Sequence, residues 1–461
     1  KGLENLYAIQ RIANTEGYYH KPRVDFDLLT EYREGIIVTA GCMSGIVSQH
    51  LEEGNFDTAR EWAARFKGLY GDDYYMEVMS HNPTAMTEGH FKIADELGIP
   101  VITTSDCHHA RPEDLVLQEA MLILQTGPKE AKGWDMSKAQ KMDWLERFNY
   151  VYPDRRMTFE KFDLHLNTAT EHLTRFKALG YDRTDFISNT VELSAKIEGY
   201  ETHKDLDLLP VPKINDIEGT FRAMVDEGAR ARGTYGIPEY DARRQVELEL
   251  IVDKGYMTYF MIEKNFVDWA RTQGIRIGDG RGSAAGSLVN YELFITGVDP
   301  IQYGLIFERF LDPSRDDKPD IDTDIQDNRR GEVKAYAKHT FKNTGNIMTF
   351  TYLEGKNIIQ DAGKILGVPY AERKAITAEI EGWDDFLTSP KSKTFRDKYP
   401  EIIELGELIK GRLRSVGMHA AGVVMSKEPL DKYAAVESAA DPDNKGSRVE
   451  VLAMDQNRAE S

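Results

Sequence analysis

The chain has 461 residues, a formal net charge of −19 from 58 basic and 77 acidic side chains, and only 2 cysteines. That length exceeds what one core usually fills, so two or three domains are expected, and two cysteines make no disulfide framework. No signal peptide and no apolar run of membrane length is visible, which points to a cytoplasmic enzyme with no membrane partner.

Along the first 190 residues, strand-like runs alternate with helical patterns. Gly35 to Cys42, Asp73 to Met79 and Pro100 to Asp106 are apolar and β-prone, while Thr58 to Phe66 and Met86 to Leu97 carry helical spacing. Such alternation predicts parallel βα units with helices outside the sheet. Each run ends in potential ligands: Cys42, then Glu77 and His81, then Asp106 with His108. Parallel βα barrels gather their chemistry at the carboxyl ends of strands, and Cys with His and Asp suits zinc or a mixed transition-metal cluster better than Mg²⁺. Glu77, His81, Cys107 and His109 are read as packing or surface residues.

Residues 131–181 read as a helical connector, and Leu206 to Ile214, rich in Leu and Pro, as an extended linker. Helices are predicted near Asp216 to Gly233 and Asp241 to Gly255, followed by an amphipathic run from Phe260 to Thr272. The chain then reaches a short strand-like run, Ile275-Arg-Ile277, and a glycine-rich turn, Gly278-Asp-Gly-Arg-Gly-Ser-Ala-Ala-Gly-Ser287. Ala284 to Tyr291 reads as the first turns of a helix, so amides and the positive helix end at this junction form a candidate anion site. Gly280 and Gly282 would let a phosphate approach the main chain, and Ser283 can donate its hydroxyl. The loop is neither a Walker A sequence nor the dinucleotide-binding Gly-x-Gly-x-x-Gly, and a plain tight turn remains an open alternative for it taken singly.

Pro319-Asp-Ile-Asp-Thr-Asp324 follows. On a strand, Asp320, Asp322 and Asp324 would share one face while Ile321, Thr323 and Ile325 share the other. A row of like charges is costly unless a cation lies against it, and hard oxygen donors favour Mg²⁺ or Mn²⁺. An EF-hand is rejected, because Ile325 and Gly331 stand where that loop needs Gly and Glu.

Gly280 to Ser287, Phe307 to Leu311 and Pro319 to Asp322 together closely resemble, in order and spacing, the palm motifs of the C-family bacterial replicases, the alpha subunits of DNA polymerase III. The resemblance continues through Ile347 to Thr351, Ile359 to Tyr370 and Gly417 to Val424, and residues up to about 190 resemble part of a PHP (polymerase and histidinol phosphatase) domain. It implies an α/β multidomain chain: the C-terminal part of a PHP-type βα barrel with the connector over 1–190, then a nucleotidyltransferase-like (polymerase beta-like) α+β palm over 191–351. A helical thumb is inserted over 352–416, and the palm continues, incomplete, over 417–461. It further implies that Asp320 and Asp322 are catalytic carboxylates holding Mg²⁺. Gly282, Ser283 and Arg309 would grip the phosphates of an incoming dNTP, and Cys42, Asp106 and His108 would be PHP ligands for Zn²⁺ or Mn²⁺. Asp324 ranks below the first two carboxylates.

The expected activity is two-metal DNA-directed DNA synthesis on primer-template DNA, with 3′-to-5′ proofreading by the PHP domain in the parent protein. The family's third carboxylate, on a Lys-x-Asp-x-Leu-Gly strand, is not found and is expected shortly after Ser461. The chain therefore reads as a fragment truncated at both ends, inactive alone in primer extension, whose sliding-clamp and replisome contacts would lie in absent C-terminal regions. The net charge runs against nucleic-acid binding, but Arg230-Ala-Arg232, Arg329-Arg330 and Lys410 to Arg414 are local basic clusters, each open to reading as a solvated helix face. His419 is placed near the template or nucleotide. Asp279, Gln360 and Met418 depart from the family pattern and suggest a divergent, phage-encoded replicase. Two other readings are a PHP-type metal-dependent phosphoesterase and a non-catalytic DNA-binding or assembly module.

Overall fold

The computed structural model describes residues 1–155, 157–199, 214–314, 319–341, 343–441 and 446–454; most of the predicted 206–214 linker lies outside them. The chain divides into two units. Unit 1 takes Lys1–Asn5, Phe26–Thr202 and Phe350–Val416, and unit 2 takes Leu6–Asp25 and the described parts of 203–349 and 417–461.

In unit 1, three strands, β1 (Val38–Thr39), β2 (Tyr74–Val78) and β3 (Val101–Thr103), form a parallel sheet in the order β1-β2-β3, in register at Val38 with Tyr74 and Met76 with Val101. Every residue of β2 is buried, as expected of a parallel strand covered on both faces. Helices Phe56–Tyr70 and Thr84–Leu97 supply the crossovers, so the alternation of strand and helix in the sequence is realised. Gly98, at φ 59°, ends the second of these helices in a left-handed turn that glycine adopts without a Cβ clash. The same unit holds a helical core in which Ala120, Ile123, Phe148 and Val151 pack with Ile358, Ile365, Phe386, Ile402 and Leu405, all nearly inaccessible to solvent.

In unit 2, helices Ile217–Arg232, Pro238–Asp253 and Met257–Thr272 bury Phe221, Val225, Leu248, Ile251 and Phe260 against Leu293, Phe307, Phe310, Leu311 and Ile321. The Asp216 side chain accepts from Gly219 N and caps the first helix, and Pro238 opens the second at a position where its missing N–H costs nothing. The sheet of this unit has four strands, β4 (Thr344–Tyr352), β5 (Leu413–Met425), β6 (Val436–Ala440) and β7 (Arg448–Leu452), ordered β5-β4-β7-β6, with the last residues of β4 and the first of β5 counted in unit 1. Strands β4 and β7 run parallel, with Asn346 opposite Val451, and β6 and β7 antiparallel.

The acidic segment differs from its expectation. Residues 319–324 join neither sheet; only Ile325 pairs, antiparallel to Ile277, with Gly278 N donating to Asp324 O at 2.9 Å and Gln326 N to Arg276 O at 3.0 Å. The alternation nonetheless holds, because it depends on extended backbone and not on a ladder. Asp320, Asp322 and Asp324 are exposed while Ile321 is buried.

Candidate active site

The glycine loop and the acidic segment are brought together. Gly282 sits at φ 63°, and a Cβ there would lie 3.8 Å from Asp322 Oδ2. Arg281, between the two glycines, reaches both carboxylates, with Nε 3.7 Å from Asp322 and Nη1 3.8 Å from Asp324. These are exposed, long contacts that offset part of the repulsion within the acidic row and do little for stability. Ser283 lies in the 3-10 turn Gly282–Gly286. That turn is seated against the next: the Ile306 carbonyl occupies the space beside Gly286, 2.6 Å from where a Cβ would be. Phe307 and Phe310 anchor the second turn in the core, and Arg309 between them is left exposed.

The expected helix from Ala284 is shorter than predicted, running over Leu288–Glu292 after the 3-10 turn, and its N-terminus is not an anion site. A side chain of this chain already occupies it. The buried Glu247 carboxylate accepts from Leu288 N and Val289 N at 3.0 Å each, from Ser287 Oγ at 2.8 Å and from Arg243 Nε at 2.6 Å. Burial pushes the Glu247 carboxyl up, and the amides of Leu288 and Val289, Arg243 and Ser287 pull it back. A second buried pair, Arg244 with Glu292 through two bonds of 2.7 Å, ties the helix Pro238–Asp253 to Leu288–Glu292. The amides left for a phosphate are therefore those of the loop itself.

Two residues given no role from sequence border the acidic row. Tyr259 Oη accepts from Ile321 N at 3.0 Å and fixes the backbone between Asp320 and Asp322. Glu263, one helical turn on and half-buried, has its carboxyl pushed up to about 7 by burial, with the charge of Asp320 adding to the shift. No sequence signal singles out either: Glu263 lies in the run Phe260 to Thr272 read only for its apolar face, and Tyr259 stands just before it. Asp279 lies against Gly297, whose N donates to the Asp279 carbonyl at 2.6 Å. His419 Nδ1 accepts from Gly422 N at 2.6 Å. In the first basic cluster, Arg232 is structural: it donates to the Tyr291 and Thr296 carbonyls and stacks 4.0 Å from the Tyr291 ring centre. Arg329 pairs with Glu332 and Arg414 with Asp361.

In unit 1, a cavity of about 660 Å³ at the ends of β2 and β3 is lined by Cys42, Glu77, Asp106 and His172, among others, but not by His108. Glu77 is buried and accepts from Thr39 Oγ1, Gly41 N and Thr104 Oγ1 at 2.6, 3.1 and 2.5 Å, consistent with its reading as a packing residue. Asp106 holds φ 46°, a left-handed conformation uncommon for a non-glycine residue and enriched at functional sites. Cys42 and Asp106 line one cavity, and among the described residues no three His, Cys, Asp or Glu side chains are arranged to hold a metal ion. His108 Nδ1 lies 2.6 Å from the Asp106 carbonyl oxygen, and its ring 4.3 Å from that of Phe159. His81 is electrostatically closer to this site than expected: burial holds it below its usual range, opposed by Asp106 and reinforced by His108.

Residues 219–459 match the family model described as the bacterial DNA polymerase III alpha NTPase domain, and residues 1–81 match that of the PHP domain. Similar curated proteins include the DNA polymerase III subunit alpha of Mycobacterium leprae, 34% identical over 93% of this chain, and that of Aquifex aeolicus, 30% identical over 94%. The chain spans 37% of the length of the first and 40% of the second.

Proposed function

The chain belongs to the bacterial DNA polymerase III alpha family, and from that premise we propose that its protein is a replicative DNA-directed DNA polymerase. The observation that carries this reading is the placement of exposed Asp320 and Asp322 beside a glycine loop, with Gly282 against Asp322. We read 191–351 and 417–461 as palm, 352–416 as thumb, and the sheet of unit 1 as part of a PHP-type barrel.

In this reading the loop amides, Gly282, Ser283 and Arg309 hold the triphosphate of a dNTP. The forked guanidinium of Arg309 suits phosphate oxygens, and Gly282 permits an approach that a Cβ would hinder. Arg281 offsets the charge of Asp322 and Asp324, and Tyr259 positions Asp322 through the intervening backbone. Asp320 and Asp322 offer hard oxygens on one face, a donor type that fits Mg²⁺, with nucleotide oxygens completing the set. When bound, Mg²⁺ supplies activation of a primer 3′ hydroxyl and neutralisation of phosphate charge.

Primer-template DNA and dNTPs are the proposed substrates, and a sliding clamp and other replisome proteins the proposed partners. For the unit 1 cavity, the match of residues 1–81 to the PHP domain family supports a phosphoester site with a proofreading role in the full-length protein. The Zn²⁺ or Mn²⁺ expected there does not fit the described arrangement of Cys42, Asp106 and His108, and no metal-dependent step is derived from it. The test is primer extension by the full-length protein with Asp322→Asn. Loss of synthesis with folding retained supports the assignment, and wild-type synthesis by the variant refutes it.

A further inference from the structure

A second cavity of unit 1, about 570 Å³, lies away from β1, β2 and β3, among the helices Leu115–Thr126, Lys356–Ile365 and Tyr370–Glu379. Its charged lining is Lys129, Lys364, Arg373 and Arg414 against one carboxylate, Asp361; four cations less one anion leave a formal +3. In a chain of net charge −19 that excess is local and contrary to the average.

Two of these cations, Lys364 and Arg373, are held by uncharged carbonyls; Arg414 is paired with Asp361, and Lys129 is exposed. Arg373 is 6% exposed, and its guanidinium donates to two uncharged carbonyls, Val368 O at 2.9 Å and Gln360 O at 2.8 Å. Lys364 Nζ donates to Leu124 O at 3.1 Å. Asp361 is committed to Arg414 through both oxygens. Burial lowers the proton affinity of Lys364, with Asp361 opposing and Arg373 and Arg414 adding to the effect. Burial likewise lowers that of Arg373, against which Asp361 and, from outside the lining, Glu130 act. A buried cation without a dedicated counter-charge is costly, and an anion in the cavity removes that cost.

We propose that this cavity binds a phosphate group, either free or as the diester of a nucleic-acid strand. The donor set suits it: arginine forks and lysine ammoniums are the side chains that bind phosphate oxygens, and Ser415 adds a neutral donor at the rim. The site is independent of the palm chemistry and stands or falls separately from it.

The test uses the full-length protein, with inorganic phosphate and pyrophosphate followed by calorimetry and a short DNA duplex followed by anisotropy at low salt. Lys129→Gln and Lys364→Met remove cations without disturbing the Asp361 pair, and Lys374→Gln, on an exposed position outside the lining, is the control. Each lining variant is expected to weaken binding by about tenfold or more while the control does not. Variant-sensitive binding of phosphate or pyrophosphate identifies a free-phosphate site. Variant-sensitive binding of the duplex alone, with a salt dependence reduced by about one phosphate contact, identifies a backbone site. Binding equal in all variants, or no binding of any probe at millimolar concentration, overturns the proposal. Because Lys129 is exposed, its variant keeps the test decisive even if Lys364→Met fails to fold.

Discussion

Replacing Glu247 with alanine removes the carboxylate that accepts the Leu288 and Val289 amides at the N-terminus of Leu288–Glu292, where the Ser287 hydroxyl caps only Asn290 N. Three donors, Ser287 Oγ–H, Leu288 N–H and Val289 N–H, would be stranded in residues with no solvent exposure, and Arg243 would lose its bond to Oε1. Each stranded buried donor costs about 1–3 kcal/mol. The carboxylate's own desolvation is lost with it and water entering the hole relieves part of the remainder, so the expected net cost is about 4 kcal/mol, as for a broken buried pair. Glu247→Gln keeps an acceptor oxygen but turns an N–H₂ toward a donor, and about 2 kcal/mol is expected. The chain divides into two compact units, and the effect is confined to one segment, so a local readout reports it most directly. Hydrogen exchange of peptides covering 282–296, compared with peptides of β2, isolates the effect. Both variants within about 0.5 kcal/mol of the parent at those amides would refute the view that Glu247 organises the segment bearing Gly282 and Ser283.

His90 gives a pH test in unit 1. Its ring is buried, with Nε2 3.1 Å from Ser48 Oγ, and burial holds its pKa down to about 4. The folded value lies below the ordinary 6.5, so the neutral ring's contribution is full above 6.5 and is lost as pH falls from there through about 4, on the order of 3 kcal/mol. His90→Gln should flatten the stability profile over that window relative to the parent, measured by urea unfolding at successive pH values; identical profiles contradict it. Glu263 has the opposite sign. Its folded pKa is raised to about 7, so its contribution is present at pH 4 and lost as pH rises through 7; Glu263→Gln should raise the melting temperature at pH 8 and leave it unchanged at pH 4. Gly282→Ala, at φ 63°, should cost about 1–2 kcal/mol locally and weaken dNTP binding in a titration of the full-length protein; unchanged affinity would separate the loop from the nucleotide.

What the sequence disclosed was local. The period of two in Asp320 to Asp324 survives without a sheet, because side-chain alternation requires only extended backbone, and the three helices before Ile275 follow from apolar spacing. What it concealed depends on partners far along the chain. Glu247 caps a helix 41 residues away, Tyr259 holds an amide 62 residues away, and Lys364 reaches a carbonyl 240 residues back. Single buried carboxylates such as Glu247 and Glu292 look like surface charges until their partners are known, and the reading of the Gly-rich junction as an open helix end failed for that reason. Arg281 stood inside a motif quoted for its glycines, but its reach toward Asp322 and Asp324 is fixed by loop conformation and not by spacing.

The sheet of unit 2 has a consequence for biosynthesis. Strand β4 is translated about a hundred residues before β7, the parallel neighbour against which Asn346 pairs with Val451. At ribosomal rates of about 5–20 residues per second, β4 waits on the order of 5–20 s for that edge to be covered. During the interval its unpaired amides, and the apolar side chains of Ile347 and Met348, are open to a chaperone or to another nascent chain. Yield on expression should therefore respond to slower synthesis after codon 352 more than to slower synthesis before codon 344.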